Sequence, residues 1–395
     1  VIFEFPSSVL AELVDSALGG EKLSPPSFWS PEVLAFALLR LQPTLSGEDV
    51  APLVRYLGAN AAAPWDRRAY SVARSLADVF DRYLLYRPDY VHAFEKGELP
   101  PSLVNDADAR LEASLFRSLA ALAKEPHFAA RTAELERCAA PLASLPERLH
   151  FFGLSSLPPA HMRVIAALAR FIGVDLYVMC PSDRYWGDLR TARELHSDLR
   201  KEGREAIADA IVEHVERQSP LLTTLGRTSR DFQLVLEALP GGYEDVELFG
   251  DPRESARLEE RSPSLLEELQ ADVLELVSKT ELREHPERAA ARVVAGGDDS
   301  LRVHACAGPA RQVEALRDDL LGLFEDYPEL EPRDVLVMTP DVEAYASIVT
   351  AVFDGDGQGG RPRIRVQVSD RSLAAENPVA DALLRVLDLA SGRLA

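Results

Sequence analysis

Cysteine is scarce in these 395 residues: Cys138, Cys180 and Cys306 stand far apart, and no two share a CxxC spacing. An odd, scattered set offers no disulfide framework and points to a reducing compartment. The eight histidines are scattered too, so no zinc cluster is expected, and nothing calls for another metal or a cofactor. Long apolar runs are missing as well. The run "VIAALA" (164–169) is closed off by Arg170 and Asp175, far short of the roughly 18 residues a membrane span needs. No basic-then-apolar leader opens the sequence, so no secretory signal is read. The opening "VIFEFP" has no Met and reads as the middle of an element in a longer polypeptide.

Positive charge is in short supply: 43 Lys and Arg face 64 Asp and Glu, giving a formal charge of −21 and a pI near 4.9. A surface that coats nucleic acid as a whole must neutralise phosphates, and this balance excludes it. A local basic groove, or a partner that carries the positive charge, stays open. Solubility alone is the commoner meaning of such a balance.

Motor and hydrolase motifs are absent. A phosphate loop is written GxxxxGK followed by Ser or Thr. The nearest string, "ALGGEKLSPP" (17–26), sets its glycines and Lys22 too close together. The strand-like "LHFFGLSS" ends on Gly153 and Leu154 where a metal-holding Asp would stand. ATP hydrolysis by this chain is not expected. No GxSxG elbow occurs, and no Ser, His and Asp arrangement suggests a triad. "DGDGQGGRPRIR" places Asp354, Asp356 and Gly359 at positions one, three and six of a calcium loop. Position five is Gln358, however, and position twelve is Arg365, where a bidentate Glu is needed. A turn is the better reading.

What is present is a folded composition, 47% hydrophobic and 27% charged, long enough for two or three domains. From about Pro25 to Pro141 the pattern is helical. Ser30 and Pro31 open "SPEVLAFALLRLQ" with Glu32 in the first turn, and prolines punctuate the helices rather than interrupt them. The period then changes. "RLHFFGL" (148–154), the helix "AHMRVIAALARF" and "VDLYVMC" (174–180) form a βαβ unit, which demands a parallel sheet. The same grammar returns from 301 onward. "SLRVHACA" and "PRDVLVMTP" read as strands around the helix "ARQVEALRDDLLGLF", and "RIRVQVS" alternates as a further strand. Arg311, in the first turn of that helix, could meet a phosphate, but a surface pair with Glu314 is the simpler reading.

One stretch concentrates chemistry. "DVFDRYLLYRPDY" (78–90) packs carboxylates, two arginines and four aromatic rings into a single helix and its break. Helical spacing aligns Asp78, Asp81, Arg82 and Leu85 on one strip and Phe80, Tyr83, Leu84 and Arg87 on another. Pro88 should end the helix at Arg87. An Asp78–Arg82 pair is worth roughly 0.2–0.5 kcal/mol, too little to explain the whole cluster. Carboxylates can accept from base amino groups, Arg can grip guanine or phosphate, and aromatic faces stack on unpaired bases. From the residues alone a charged surface helix stands ahead of a pocket.

At these residues the sequence resembles the RecC family, the gamma chain of exodeoxyribonuclease V, and more distantly AddB-type subunits. The "YRPD" block and "SPLLTTLGRTSRDF" are the most specific matches. "RLHFFGLSSLPPAHMRVIAAL" and "DRYWGDL" lie between those two, and "VHACAGPARQVEALRDDLL", "PRDVLVMTPDVEAY" and "VQVSDRSLAAENPV" follow them. The resemblance implies an α/β fold: two RecA-like, parallel-sheet domains of a superfamily 1 helicase type whose motor motifs are lost, with a large all-helical insertion. Residues 1–24 and 142–186 would form the first domain, 25–141 the insertion, 187–300 a polar, mostly helical connection, and 301–395 the start of the second domain. It further implies a cytoplasmic, non-catalytic subunit in a heterotrimer with RecB-like and RecD-like subunits, lining the channel for the unwound 3′-ended single-stranded DNA and reading the recombination signal Chi. The family's channel positions fall on Asp78, Val79, Asp81 and Arg87, with Arg82 among them. Its Leu and Trp after "EFP" are here Ser7 and either Ala11 or Leu13, and a further arginine position falls at Ala130 or Arg131. An inactive scaffold that binds the motor subunit without touching DNA, and a hydrolase with an unfamiliar phosphate loop, are the alternatives.

Overall fold

The computed structural model describes residues 5–19, 27–58, 67–104, 106–143, 145–201, 208–239, 242–292, 296–354, 363–369 and 377–391. The glycine–lysine stretch at 20–26 and most of the loop tested for calcium, 355–362, lie outside the described residues. The chain divides into two compact units, Val1–Gly296 and Gly297–Ala395.

In the first unit the order is α1 (Pro6–Leu18), α2 (Pro31–Leu41), α3 (Ala51–Leu57), α4 (Arg67–Tyr86), α5 (Pro88–Lys96), α6 (Ala107–Leu122), α7 (Phe128–Arg137), β1 (Arg148–Leu154), α8 (Pro159–Leu168) and β2 (Gly173–Val178). Shorter helices follow: α9 (Ala192–Lys201), α10 (Ala208–Glu216), α11 (Pro220–Leu225), α12 (Arg227–Glu237), α13 (Glu254–Leu258), α14 (Leu265–Leu274), α15 (Lys279–Glu284) and α16 (Pro286–Ala291). Prolines open α1, α2, α5, α8 and α11, where the missing N–H has no partner to lose. Among the described residues no helix is long and apolar enough to cross a membrane.

Two cores organise this unit. In the helical block α2 packs along α4, whose inner face carries Ala69, Ala73 and Ala77 ahead of Phe80 and Leu84. Small residues at a spacing of four admit a close neighbour, and the larger ones fill the space beyond. Trp29 stacks on Phe116 with ring centroids 5.4 Å apart, and Phe80 meets Phe116 edge-on at 5.5 Å. Buried His127 caps α7: its Nδ1 accepts from the Ala130 N–H at 3.0 Å, which leaves the proton on Nε2, 3.0 Å from Glu95. Hydrogen bonds from His127 and then His92 hold the Glu95 carboxyl down at about 2.

The second core joins α1, α7, α8 and the sheet. β1 and β2 pair in parallel from Arg148↔Gly173 to Phe152↔Tyr177, and the register slips at Gly153, which sits at φ 73°. The βαβ unit read from the sequence is therefore present, with β2 spanning Gly173–Val178 rather than 174–180. Phe151, Val164, Ile165 and Leu168 close its inner side against Leu10 and Val14 of α1. Arg131 of α7 and Asp15 of α1 form an ion pair with both side chains about nine-tenths buried.

The "DRYWGDL" and "SPLLTTLGRTSRDF" blocks meet in space. Arg230 of α12 donates to the Leu189 carbonyl at 2.6 Å and to Glu194 of α9 at 2.7 Å. The Arg190 N–H reaches Gln218 at 2.7 Å, and Trp186, Leu189 and Leu222 pack together beneath.

The second unit contains α17 (Pro309–Asp326), α18 (Val342–Phe353) and α19 (Pro378–Ser391). Val313, Leu320, Phe353 and Ile364 form its core. Arg311 pairs with Glu314 at 3.1 Å, as the surface reading expected. The strands expected at 300–307, 332–340 and 363–369 differ from the structure. Among the described residues these segments are unpaired, and Pro332–Asp334 is a short 3-10 turn. Val303, Leu336 and Met338 are more than four-fifths exposed. Parallel strands need hydrogen-bonded neighbours and a cover on each face, and alternation alone supplies neither. The parallel sheet is thus a feature of the first unit alone among the described residues.

Candidate nucleic-acid interface

Helix α4 runs for twenty residues and stops where Pro88 requires. Arg87 leaves helical geometry at φ −137°, ψ 56° and serves as the N-cap of α5. The aromatic residues of this stretch divide by burial. Phe80 is in the core, and Tyr83 is half-buried, donating to Glu112 at 2.8 Å with ring contacts to Tyr90 at 5.7 Å and Phe94 at 6.2 Å. Burial, then the Glu112 bond, pushes the Tyr83 hydroxyl above its ordinary range. Of the four rings only Tyr86 is open to solvent. Most of the aromatic content that drew attention in the sequence is therefore structural.

The charged residues behave differently. Asp78 does not pair with Arg82, as helical spacing had suggested; it pairs one turn back with Arg74 at 3.4 Å. Arg74 also reaches Glu32 of α2 at 3.2 Å, so one guanidinium bridges two carboxylates and holds Asp78 towards α2. Asp81, half-buried, lies a turn further on. Its carboxyl is pushed above the usual range by burial first, then by the charges of Asp78 and Glu32, against the pull of Arg74 and Arg82. Val79 is half-buried. Arg82 and Arg87 are exposed and form no ion pair among the described residues. Arg87 instead lies over the Tyr90 ring, 5.6 Å from its centroid.

Asp78, Asp81 and Arg82 thus share one side of α4, at i, i+3 and i+4, and Arg87 stands at its end. The arrangement presents two exposed guanidinium groups that form no ion pair among the described residues, beside two acceptors, one of them already partly protected from water. Such a surface can accept from base amino groups and grip a phosphate or a guanine edge. Among the described residues no cluster of His, Cys, Asp and Glu could hold a metal ion. Glu32, read in the sequence only as a first-turn acid, and Arg74 were not among the expected site residues. Arg74 stands at helical spacing from Asp78 and was legible there, whereas Glu32 lies on another helix and needed the α2–α4 packing. The other positions inferred by resemblance fall elsewhere: Ser7 is exposed on α1, Ala11 and Leu13 are half-buried there, and Ala130 and Arg131 lie on α7 with Arg131 buried.

Comparison with known proteins gives a consistent picture. The family model described as "RecC, N-terminal domain" matches residues 1–276. The RecBCD enzyme subunit RecC of Mycobacterium tuberculosis is 33% identical over 407 residues, covering 100% of this chain and 34% of that protein. The corresponding subunit of Mycolicibacterium smegmatis is 31% identical over 413 residues, covering 100% and 34%. That of Escherichia coli is 28% identical over 424 residues, covering 99% and 36%. The chain spans about a third of the length of these curated relatives.

Proposed function

The chain belongs to the RecC family, and on that premise we propose that it is a non-catalytic, DNA-lining segment of a RecBCD-type helicase–nuclease. It guides the unwound 3′-ended single strand and contributes to reading the recombination signal Chi during double-strand break repair. Its partners are single-stranded DNA and the RecB-like and RecD-like subunits, which supply the motor and nuclease activity. In this reading β1, α8 and β2 belong to a first RecA-like domain made of 1–24 and 142–186, which has lost its phosphate loop. Residues 25–141 are its helical insertion, 187–300 a connection, and 301–395 the start of a second such domain.

The observation that carries the proposal is the outer side of α4, where Arg82 and Arg87 are exposed without carboxylate partners beside Asp78 and Asp81. Other arginines among the described residues answer acids, for example Arg163 to Glu136 and Arg261 to Glu267. The test is Asp81→Ala and Arg87→Ala, each in the full heterotrimer. Unwinding should persist, while the change in cleavage at the signal weakens about fivefold or more, since a base contact is worth roughly 1–3 kcal/mol. Unaltered signal-dependent cleavage would remove α4 from sequence reading. The formal charge of −21 favours a second reading, an inactive scaffold that holds the motor subunit without touching DNA here.

A further inference from the structure

The strip that carries Asp78 and Asp81 continues towards the start of α4, and there its chemistry changes. Tyr70 and Arg74 precede Asp78 at steps of four, so all three stand in one row bordering α2. Tyr70 is 44% exposed and Phe36 of α2 is 48% exposed. Their ring centroids lie 6.0 Å apart with planes at 49°. Two large rings from different helices thus share one outward patch, next to the Glu32–Arg74–Asp78 bridge. Eight residues of helix separate Tyr70 from Asp78, about 12 Å of rise.

The electrostatics of the row select what can lie on it. Glu32, Asp78 and Asp81 set three carboxyl groups around the guanidinium of Arg74, with Arg82 the next residue of the row beyond Asp78. A phosphate facing them would be repelled. A ligand that matches must present a flat π-face at one end and N–H donors at the other, which is the description of nucleobases. From this geometry we infer that Tyr70, with Phe36 beside it, is a stacking shelf for an unpaired base. The strand lies with its bases turned towards α4 and its phosphates turned away, towards solvent. The inference rests on the DNA-lining reading and adds a residue and a strand orientation to it. Stacking tolerates every base, so the shelf would hold the strand in place while the carboxylates discriminate among amino groups.

The experiment places 2-aminopurine at successive positions of a single strand bound in the full heterotrimer, and compares wild type with Tyr70→Leu and Tyr70→Phe. Tyr70 is on the surface, so neither change disturbs the core. Stacking quenches the probe. One position should be quenched in wild type and in Tyr70→Phe and recover in Tyr70→Leu, with about 5- to 10-fold weaker retention of the strand, the low end of a lost stacking contact. A photoreactive group at position 82 is read in parallel. If the strand crosslinks there but Tyr70→Leu alters neither quenching nor retention, the shelf is wrong and the DNA-lining reading stands. If there is no crosslink either, both fail. If Tyr70→Leu instead weakens assembly of the subunits without changing quenching, the patch is a protein contact and the inference is overturned.

Discussion

Arg131→Ala is expected to destabilise the first unit by about 3–5 kcal/mol, the cost of leaving a desolvated charge without its partner. Arg131 and Asp15 are about nine-tenths buried in their side chains, and they join α7 to α1 beside Leu10, Val14 and Leu135 of the second core. Removing the guanidinium strands the Asp15 carboxylate among these apolar side chains. The paired change Asp15→Leu with Arg131→Met should cost much less than either single change, because an apolar pair of similar volume replaces both charges. Denaturant unfolding of the four variants checks this, and equal losses for single and double variants would show that the pair is not coupled. The resemblance had marked the neighbourhood of Ala130 and Arg131 as a DNA-contacting arginine position. In the structure Arg131 points into an ion pair, so loss of function in Arg131→Ala would report folding rather than DNA contact.

A second large effect is expected at Arg230. Its side chain is 5% exposed, donates to the Leu189 carbonyl at 2.6 Å, and pairs with Glu194 at 2.7 Å. Arg230→Ala should cost about 3 kcal/mol by leaving that carbonyl unanswered and Glu194 with Thr191 and the more distant Arg227 alone. The effect carries a pH signature. The hydrogen bond from Arg230 first, with those of Thr191, holds the Glu194 carboxyl down at about 2, against an ordinary value of 4.5. A depressed carboxylate contributes stability that is complete above its unfolded pKa and is lost as pH falls through the folded one. The gap between wild type and Arg230→Ala should therefore be full near neutrality, narrow below about pH 4.5, and shrink most as pH approaches 2. Denaturant midpoints measured across that window test it. A gap that is constant with pH would mean that Arg230 acts by packing alone.

The helical block and the first βαβ unit were legible in the sequence because local rules suffice there. Pro31 and Pro88 stand where helices begin, and the residues of β1 and β2 flank one proline-opened helix. The expected strands of the second unit were read from alternation in "RIRVQVS" and apolar runs in "SLRVHACA". Alternation fixes only which side a residue would face, and hydrogen-bonded neighbours decide whether a strand exists. At the candidate interface, Arg87 was legible because proline restricts the residue before it. The fate of Asp78 was not. Helical spacing offers it Arg74 and Arg82 equally, and the choice falls to Glu32, a residue on α2 that only tertiary packing brings to Arg74. The same limit hid the pairing of Phe36 with Tyr70, and it made Phe80 and Tyr83 look available when one is core and the other is bonded to Glu112.

The central claim is that the outer side of α4 meets a separated DNA strand, and crosslinking tests it most directly. A photoreactive side chain is placed at position 82, in the full heterotrimer, while a 3′-ended single strand is being unwound. A covalent adduct to that strand, absent when the same group stands at exposed position 257 on α13, is the predicted result. Assembly and unwinding without any adduct at position 82 would contradict the account and leave the chain as a scaffold.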